Sequence, residues 1–296
     1  MEQTLGALSA GLAELTEQAG ALAVAVEARS RMGSSGILWQ QGVIVTADHA
    51  VRREEDIPVL LSDGSHVRAE LAGRDPGTDL AILRFEGGPV PKFESAKPRS
   101  GELVLSVGRH EPGVLAAVGI ISTAGGEWRT WRGGQLDTLL RLDISAYPRS
   151  SGSVVVDSAG RVVGMLTSGL TRTAPVAVPF ATIERVAGEL IQHGHIARGY
   201  LGVGLQPVLL PEKFSDVLGR KQRAGVIVLS VEPGGPAEGA RIGLGDIFVE
   251  LGGREVEDTD DVQAALAGAI GQERTAVILR GGERVEVAIR VGERRV

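Results

Sequence analysis

Between residues 21 and 178, glycine and aspartate turn signals cut the chain into twelve short β-rich runs. They are Ala21–Val26, Gly36–Trp39, Val43–Thr46, Ile57–Leu61, His66–Ala72, Leu80–Phe85, Leu103–Gly108, Val114–Ser122, Leu136–Leu142, Ser153–Val156, Val162–Leu166 and Val176–Val178. Asp63-Gly64 marks a hairpin between two of them. Such a series predicts a mostly β, barrel-type antiparallel domain rather than an alternating α/β one. Glycine usage agrees: 42 of 296 residues, about twice the usual share of roughly 7%, scattered in the manner of tight turns and not of collagen. With aromatics at 3%, the cores have to be built from Val, Ile, Leu and Ala.

The flanks follow a different period. Leu5, Leu8, Leu12 and Leu15 recur at helical spacing and Gly20 closes that helix, whose leucines are expected to pack on a neighbouring domain. A second helix is predicted over Phe180–His193, apolar at Ile183, Val186, Leu190 and Ile191, with Gly194 as its C-cap. The stretch up to Gly199 then reads as a boundary, dividing the chain into domains 1–195 and 196–296. In the second domain, strands are predicted at Leu201–Val203, Gly225–Val231, Ile247–Leu251, Ala276–Leu279 and Val285–Val291. Gly252-Gly253 and Gly281-Gly282 mark hairpins, and a helix over Asp260–Ala269 is N-capped by Asp258 or Thr259. This is a small α+β domain.

Composition removes several function classes. A chain 43% hydrophobic and 23% charged buries real cores. A net charge of −6 argues against a dedicated nucleic-acid binder. Without cysteine there is no disulfide, thiolate metal site or thiol nucleophile. No metal-ligand spacing and no phosphate-binding glycine loop occurs, so neither metal nor cofactor is expected. The longest apolar stretches, Ala21–Val26 and Gly225–Leu229, fall far short of the roughly 20 residues of a membrane span. Glu2, Glu14 and Glu17 break any leader pattern, so the location is expected to be cytoplasmic if Met1 is the native start, and periplasmic or otherwise extracytoplasmic if the chain was trimmed. Arg52-Arg53 and Arg294-Arg295 are short enough to be solvated surface.

Three segments carry candidate chemistry. Of five histidines, His66 lies in an alternating strand, His110 in a turn before Pro112, and His193 and His195 at a helix end. His49 differs: the buried run Val43-Ile44-Val45 delivers it to a turn in Thr46-Ala47-Asp48-His49-Ala50, where it is either a structural histidine or a base. Asp79 precedes the strand Leu80–Phe85; it either caps the turn, as Asp75 equally can, or orients an imidazole. Tyr147-Pro148-Arg149-Ser150-Ser151-Gly152-Ser153 is either a flexible turn or a loop lifting a serine clear of its neighbours, with backbone amides aimed at one point. Taken in order, His49, Asp79 and Ser151 follow the chymotrypsin-type arrangement, not that of α/β-hydrolases or subtilisins.

In that context the chain resembles the HtrA-type serine proteases. The resemblance is carried by Gly42–Val51, Thr78-Asp79-Leu80-Ala81-Ile82-Leu83, Leu142–Pro148, Gly164-Met165-Leu166-Thr167 and Ala177-Val178-Pro179. It continues through Arg198-Gly199-Tyr200-Leu201-Gly202-Val203 into what resembles a PDZ domain. The implied fold is a chymotrypsin-like double β-barrel followed by a small α+β PDZ domain.

The resemblance implies that Ser151 is the nucleophile, His49 its base and Asp79 the group that orients the histidine. The amides of Arg149 and Ser151 would form the oxyanion hole. Here the chain departs from the family, which has glycine where Arg149 and Ser153 stand; a side chain at 149 biases that peptide toward a collapsed hole. The specificity pocket is expected at Ser145, Thr167, Ser168 and Gly169, neutral and suited to small or medium aliphatic residues. In the PDZ domain, Tyr200, Leu201, Gly202 and Val203 with Val262, Ala265 and Leu266 are expected to take a peptide C-terminus as an added strand. The implied activity is an ATP-independent serine endopeptidase acting on unfolded or damaged proteins, with a homotrimer as the implied assembly. The alternative is a catalytically weak or silent protease fold acting as a peptide-binding or chaperone-like module.

Overall fold

In the computed structural model residues 2–295 are described, apart from 30–32, 89, 112, 131 and 172; the side chains at 2, 294 and 295 are not described. Pro112 and the Arg294-Arg295 side chains therefore lie outside the described residues. The chain divides into two compact units, Met1–Ile196 and Ala197–Val296.

Helix α1 (Glu2–Gly20) opens the first unit, with Leu5 and Leu8 exposed. Strands β1 (Ala23–Val26), β2 (Ser34–Gln40), β3 (Val43–Ala47), β4 (Ile57–Leu60), β5 (His66–Asp75) and β6 (Leu80–Phe85) close a barrel in the order β1-β2-β3-β6-β5-β4. The second barrel takes β7 (Leu103–His110) and β8 (Gly113–Ala124), then, past a two-stranded ladder of β9 (Trp128–Arg129) and β10 (Gln135–Leu136), β11 (Leu140–Asp143), β12 (Val154–Asp157), β13 (Val162–Thr167) and β14 (Val176–Pro179). Its order is β11-β14-β13-β12-β7-β8. Helix α2 (Phe180–His193) ends at Gly194 in the left-handed conformation, φ 77°.

The uninterrupted apolar runs have a physical reason: both faces of these strands are buried. Side chains alternate across a strand, so odd and even positions go to different cores. Ile44, Ala81 and Leu83 fill the first barrel, whereas Val43, Val45, Leu80 and Ile82 face a second cluster. That cluster also receives Leu105, Val107, Val154 and Met165, while Val104, Val155, Val163 and Leu166 fill the second barrel. The shared cluster welds the barrels together, each fully buried Val, Leu or Ile contributing about 1.5–3 kcal/mol.

The expected strand over Leu136–Leu142 is instead two pieces. The Asp137 N–H donates to Thr182 Oγ1 at 2.9 Å and Leu139 N–H to the Gly126 carbonyl at 2.9 Å, which bends the chain out of β10 before β11 begins.

The second unit has β15 (Ala197–Tyr200), β16 (Val203–Leu209), α3 (Phe214–Leu218), β17 (Ala224–Val231), α4 (Pro236–Gly239), β18 (Ile247–Leu251), β19 (Arg254–Glu255), α5 (Thr259–Leu266), β20 (Glu273–Arg280), β21 (Glu283–Arg290) and β22 (Gly292–Arg295). Its main sheet runs β16-β17-β18-β20-β21, which leaves β16 on an edge; β15 pairs with β22. Asp258 caps α5, accepting from the Asp260 and Asp261 N–H groups. The expected strand at Leu201–Val203 is a loop: Gly202 takes φ 76° and β16 starts only at Val203. The helix expected to reach Ala269 stops at Leu266, with Gly268 left-handed at φ 68°.

Candidate active site

The pairing of β3 with β6 sets Ala47 opposite Leu80. His49 lies two residues beyond the one and Asp79 one residue before the other, so strand register alone brings them together. The chain after β3 coils into a single 3-10 turn, Asp48–Ala50, closed by Val51 N–H to the Asp48 carbonyl at 2.9 Å. Asp79 accepts the His49 backbone N–H on Oδ1 at 2.9 Å and faces Nδ1 at 2.8 Å through Oδ2. A carboxylate only accepts, so Nδ1 carries the proton and Nε2 is left with its lone pair. Asp79 is 1% exposed, and Thr167 Oγ1 donates a further hydrogen bond to Oδ2. Asp75 takes the capping role, accepting from Gly77 N–H and Thr78 Oγ1. This frees Asp79 for the imidazole.

Arg74 braces the turn from behind. Its Nε donates to Asp48 Oδ1 at 2.5 Å and its Nη2 to the Val51 carbonyl at 2.9 Å. Burial pushes the Asp48 carboxyl above its ordinary pKa, against the pull of the Arg74 guanidinium.

Ser151 sits on the loop between β11 and β12. That loop is docked on β2: Ser35 N–H donates to the Ser151 carbonyl at 2.9 Å, and Ser35 Oγ to the Arg149 carbonyl at 3.0 Å. Gly152, at φ 91°, passes so close to the Ser35 carbonyl that a Cβ would overlap it. Ser150 N–H is bonded to the Tyr147 carbonyl, whereas the N–H groups of Arg149 and Ser151 have no acceptor among the described residues. Ser151 Oγ shares a hydrogen bond with Ser168 Oγ at 3.2 Å and makes none to His49. The structure thus joins His49 to Asp79 and leaves the serine hydroxyl turned to one side.

Of the four residues expected in the pocket, Ser145 and Ser168 are exposed and Gly169 is half-buried. Thr167 is corrected: it is fully buried and its hydroxyl is committed to Asp79, so it backs the histidine–aspartate pair instead of lining a pocket. Segment 167–169 in fact touches all three candidates. Thr167 meets Asp79, Ser168 meets Ser151, and a Cβ at Gly169 would lie 2.5 Å from both His49 Nδ1 and Asp79 Oδ2. Sequence reasoning missed this hub; its only signal was a polar Thr-Ser-Gly directly after the apolar run Val162–Leu166. Ser153 is buried with its Oγ unpartnered among the described residues.

In the second unit the loop before β16 is anchored by Tyr200 Oη donating to Glu232, by Glu232 N–H to the Gly202 carbonyl, and by Ala237 N–H to the Leu201 carbonyl. The Leu201 and Gly202 N–H groups have no acceptor among the described residues. Leu201, Val262 and Leu266, expected on the groove walls, are buried core, because one helix face must close the sheet; Val203 and Ala265 stay partly exposed beside them. Among the described residues no cluster of side chains suits a metal ion, and no helix is long and apolar enough to cross a membrane.

Two six-stranded barrels with a histidine–aspartate pair from one and a serine loop from the other define a chymotrypsin-type peptidase domain, here followed by a PDZ domain. Residues 34–165 match the family described as "Trypsin-like peptidase domain" and residues 199–291 the PDZ domain family. The "Probable periplasmic serine endoprotease DegP-like" of Brucella suis biovar 1 (strain 1330) is 31% identical over 272 residues, 88% of this chain and 52% of the relative. The protein of the same description from Pseudomonas putida (strain GB-1) is 31% identical over 280 residues, 90% of this chain and 57% of the relative. Among solved structures, the HtrA-type protease AlgW with a decapeptide has a TM-score of 0.76 at 26% identity, covering 96% of this chain and 98% of that one. A serine endoprotease from Yersinia pestis has a TM-score of 0.75 at 26% identity, with the same coverage. The chain thus carries a trypsin-like peptidase domain followed by a PDZ domain, the arrangement of the HtrA-type serine proteases it resembles in sequence and fold. It spans about half the length of the curated relatives it matches. The cytoplasmic expectation is overturned, since those relatives are named periplasmic and the composition of residues 1–20 carries no weight against them.

Proposed function

We propose that the chain is a periplasmic serine endopeptidase that cleaves unfolded or damaged proteins through an acyl-enzyme. His49 Nε2 takes the Ser151 Oγ proton as the oxygen attacks the scissile carbonyl, and the Arg149 and Ser151 N–H groups receive the developing oxyanion. Asp79 stabilises the imidazolium, which then protonates the leaving amine; a water repeats the cycle to release the acid. The observation that carries this reading is the His49–Asp79 pair, its carboxylate buried, together with a Ser151 loop in which two amides are unbonded among the described residues. In this reading the Ser151 hydroxyl exchanges its Ser168 partner for His49 Nε2 when substrate binds, catalytic hydrogen bonds often being loose before then. The pocket residue Ser145 carries no charge, which suits small or medium aliphatic side chains. A homotrimer is the expected assembly. The Ser151–Ser168 bond is the one observation that favours the silent-fold alternative. A fluorophosphonate probe decides between them: labelling lost in Ser151→Ala supports the peptidase, and no labelling even with C-terminal peptide added supports the silent fold.

The PDZ domain would recruit peptide C-termini, the free Leu201 and Gly202 amides receiving the carboxylate while the peptide adds a strand to β16. Leu210 N–H donates to the Arg223 carbonyl, and ladder bonds alternate, so the N–H groups at 206 and 208 also point into the sheet. Positions 205, 207 and 209 therefore face the open edge, and position 207 is a proline with no N–H to offer. Affinity for C-terminal peptides is expected to level off at about four residues, one missing hydrogen bond being worth about 0.5–1.5 kcal/mol. In Pro207→Ala it should go on rising with length, as calorimetry on a length series would show.

A further inference from the structure

We propose that Glu27 is a positioning residue for the oxyanion-binding peptide, acting through Arg149; this rests on the reading of the Arg149 N–H as an oxyanion donor. Arg149 adopts φ 75°, the left-handed region, where its Cβ crowds the backbone. Glycine takes that conformation freely, and asparagine or aspartate can bond locally to support it; arginine does neither. An unsupported arginine would leave that conformation for the right-handed region by a factor of about 5–30, carrying its N–H with it.

The support comes from outside the loop. Arg149 Nη1 lies 3.1 Å from Glu27 Oε1, and its carbonyl accepts from Ser35 Oγ at 3.0 Å. Both anchors belong to the first barrel. Glu27 directly follows β1 and its N–H donates to the Pro58 carbonyl at 3.0 Å. Ser35 is fully buried in β2, its Oγ accepting in turn from Arg109 N–H at 3.1 Å. The Glu27 carboxylate is seated against Gly33, where any Cβ would collide with it. One end of Arg149 is thus pulled by its guanidinium and the other by its carbonyl. Between them the peptide N–H is left free of any acceptor among the described residues, on the loop of the nucleophile.

A half-exposed ion pair adds little to global stability, with side chains here 33% and 40% exposed. Its loss should therefore be nearly silent in thermal melting and visible in catalysis. The measurements are kcat and KM on a chromogenic peptide, the affinity of a peptide boronate that mimics the tetrahedral intermediate, and the fluorophosphonate labelling rate, all on the full chain. Glu27→Ala is expected to lower kcat and boronate affinity about tenfold in parallel, with KM and the melting temperature unchanged. Glu27→Gln, which keeps an acceptor, should fall between. On an Arg149→Gly background, where the backbone needs no clamp, the effect of Glu27→Ala should shrink to within about twofold. An unchanged kcat in Glu27→Ala, or the same loss with glycine at 149, would overturn the proposal. A wild-type chain that takes no fluorophosphonate would overturn the peptidase reading itself, and the clamp with it.

Discussion

Alanine at position 169 should cripple acylation by about 10³–10⁴, as much as deleting the group that orients the histidine. The single added carbon would lie 2.5 Å from His49 Nδ1 and 2.5 Å from Asp79 Oδ2, inside the pair's own hydrogen bond. Neither partner can retreat cheaply. Asp79 is held by the His49 backbone N–H and by Thr167, and is 1% exposed. The imidazole is the softer side, so it should swing toward solvent, where 26% of its side-chain surface already lies. The expected record is a fluorophosphonate labelling rate close to that of Ser151→Ala, with circular dichroism and melting little changed. Labelling within tenfold of the wild type would mean that segment 167–169 yields instead, and that the hub it forms is soft.

Asp79→Asn should lower kcat by about 10⁴ with little effect on KM. The four donor contacts around this carboxylate all demand an acceptor: the His49 N–H, Nδ1 facing both oxygens, and the Thr167 hydroxyl. An amide offers one oxygen and one NH₂. With the oxygen kept on the His49 backbone N–H, the NH₂ takes the Oδ2 place 2.8 Å from Nδ1, forces the proton onto Nε2 and leaves no base for Ser151, while the Thr167 hydroxyl turns to accept. A steep recovery of rate at high pH, as the serine ionises without help, would mark this tautomer fault as the cause. A loss below about tenfold would show that the imidazole is oriented by something else.

Much of this site was legible in the sequence, where His49, Asp79 and Ser151 were joined by their chain order and by the motifs that resemble the HtrA-type proteases. The β3–β6 register supplies the physical reason that His49 and Asp79 meet. The helix caps at Gly194 and Asp258 were legible for an equally local reason. What escaped depends on contacts distant in sequence. Thr167 looks like one more wall residue until the fold sets it on Asp79, 88 positions away. The Glu27–Arg149 pair spans 122 positions: Arg149 stands out where the family has glycine, but nothing in its own segment marks Glu27 as the partner. Strand β16 was missed because Gly204 and Pro207 are turn signals in isolation. An edge strand tolerates both, since the side that lacks a donor faces outward. The shortfall at Leu136–Leu142 has the same origin: Thr182, on a helix far along the chain, diverts an apolar run that would otherwise stay extended.

The ownership of the site by the two barrels has a consequence for biogenesis. The base and its carboxylate are supplied by residues before 86, whereas the nucleophile loop and the Thr167 contact come from residues beyond 144. Thr130 Oγ1 donates to the Gly77 carbonyl at 2.7 Å, so even the turn that seats the carboxylate is finished only by the later half. A nascent chain emerging from its N-terminus is consequently inert until its last barrel strands have docked. Under the proposed function, neighbouring copies still unfolded would be spared digestion by a sibling that is only half made.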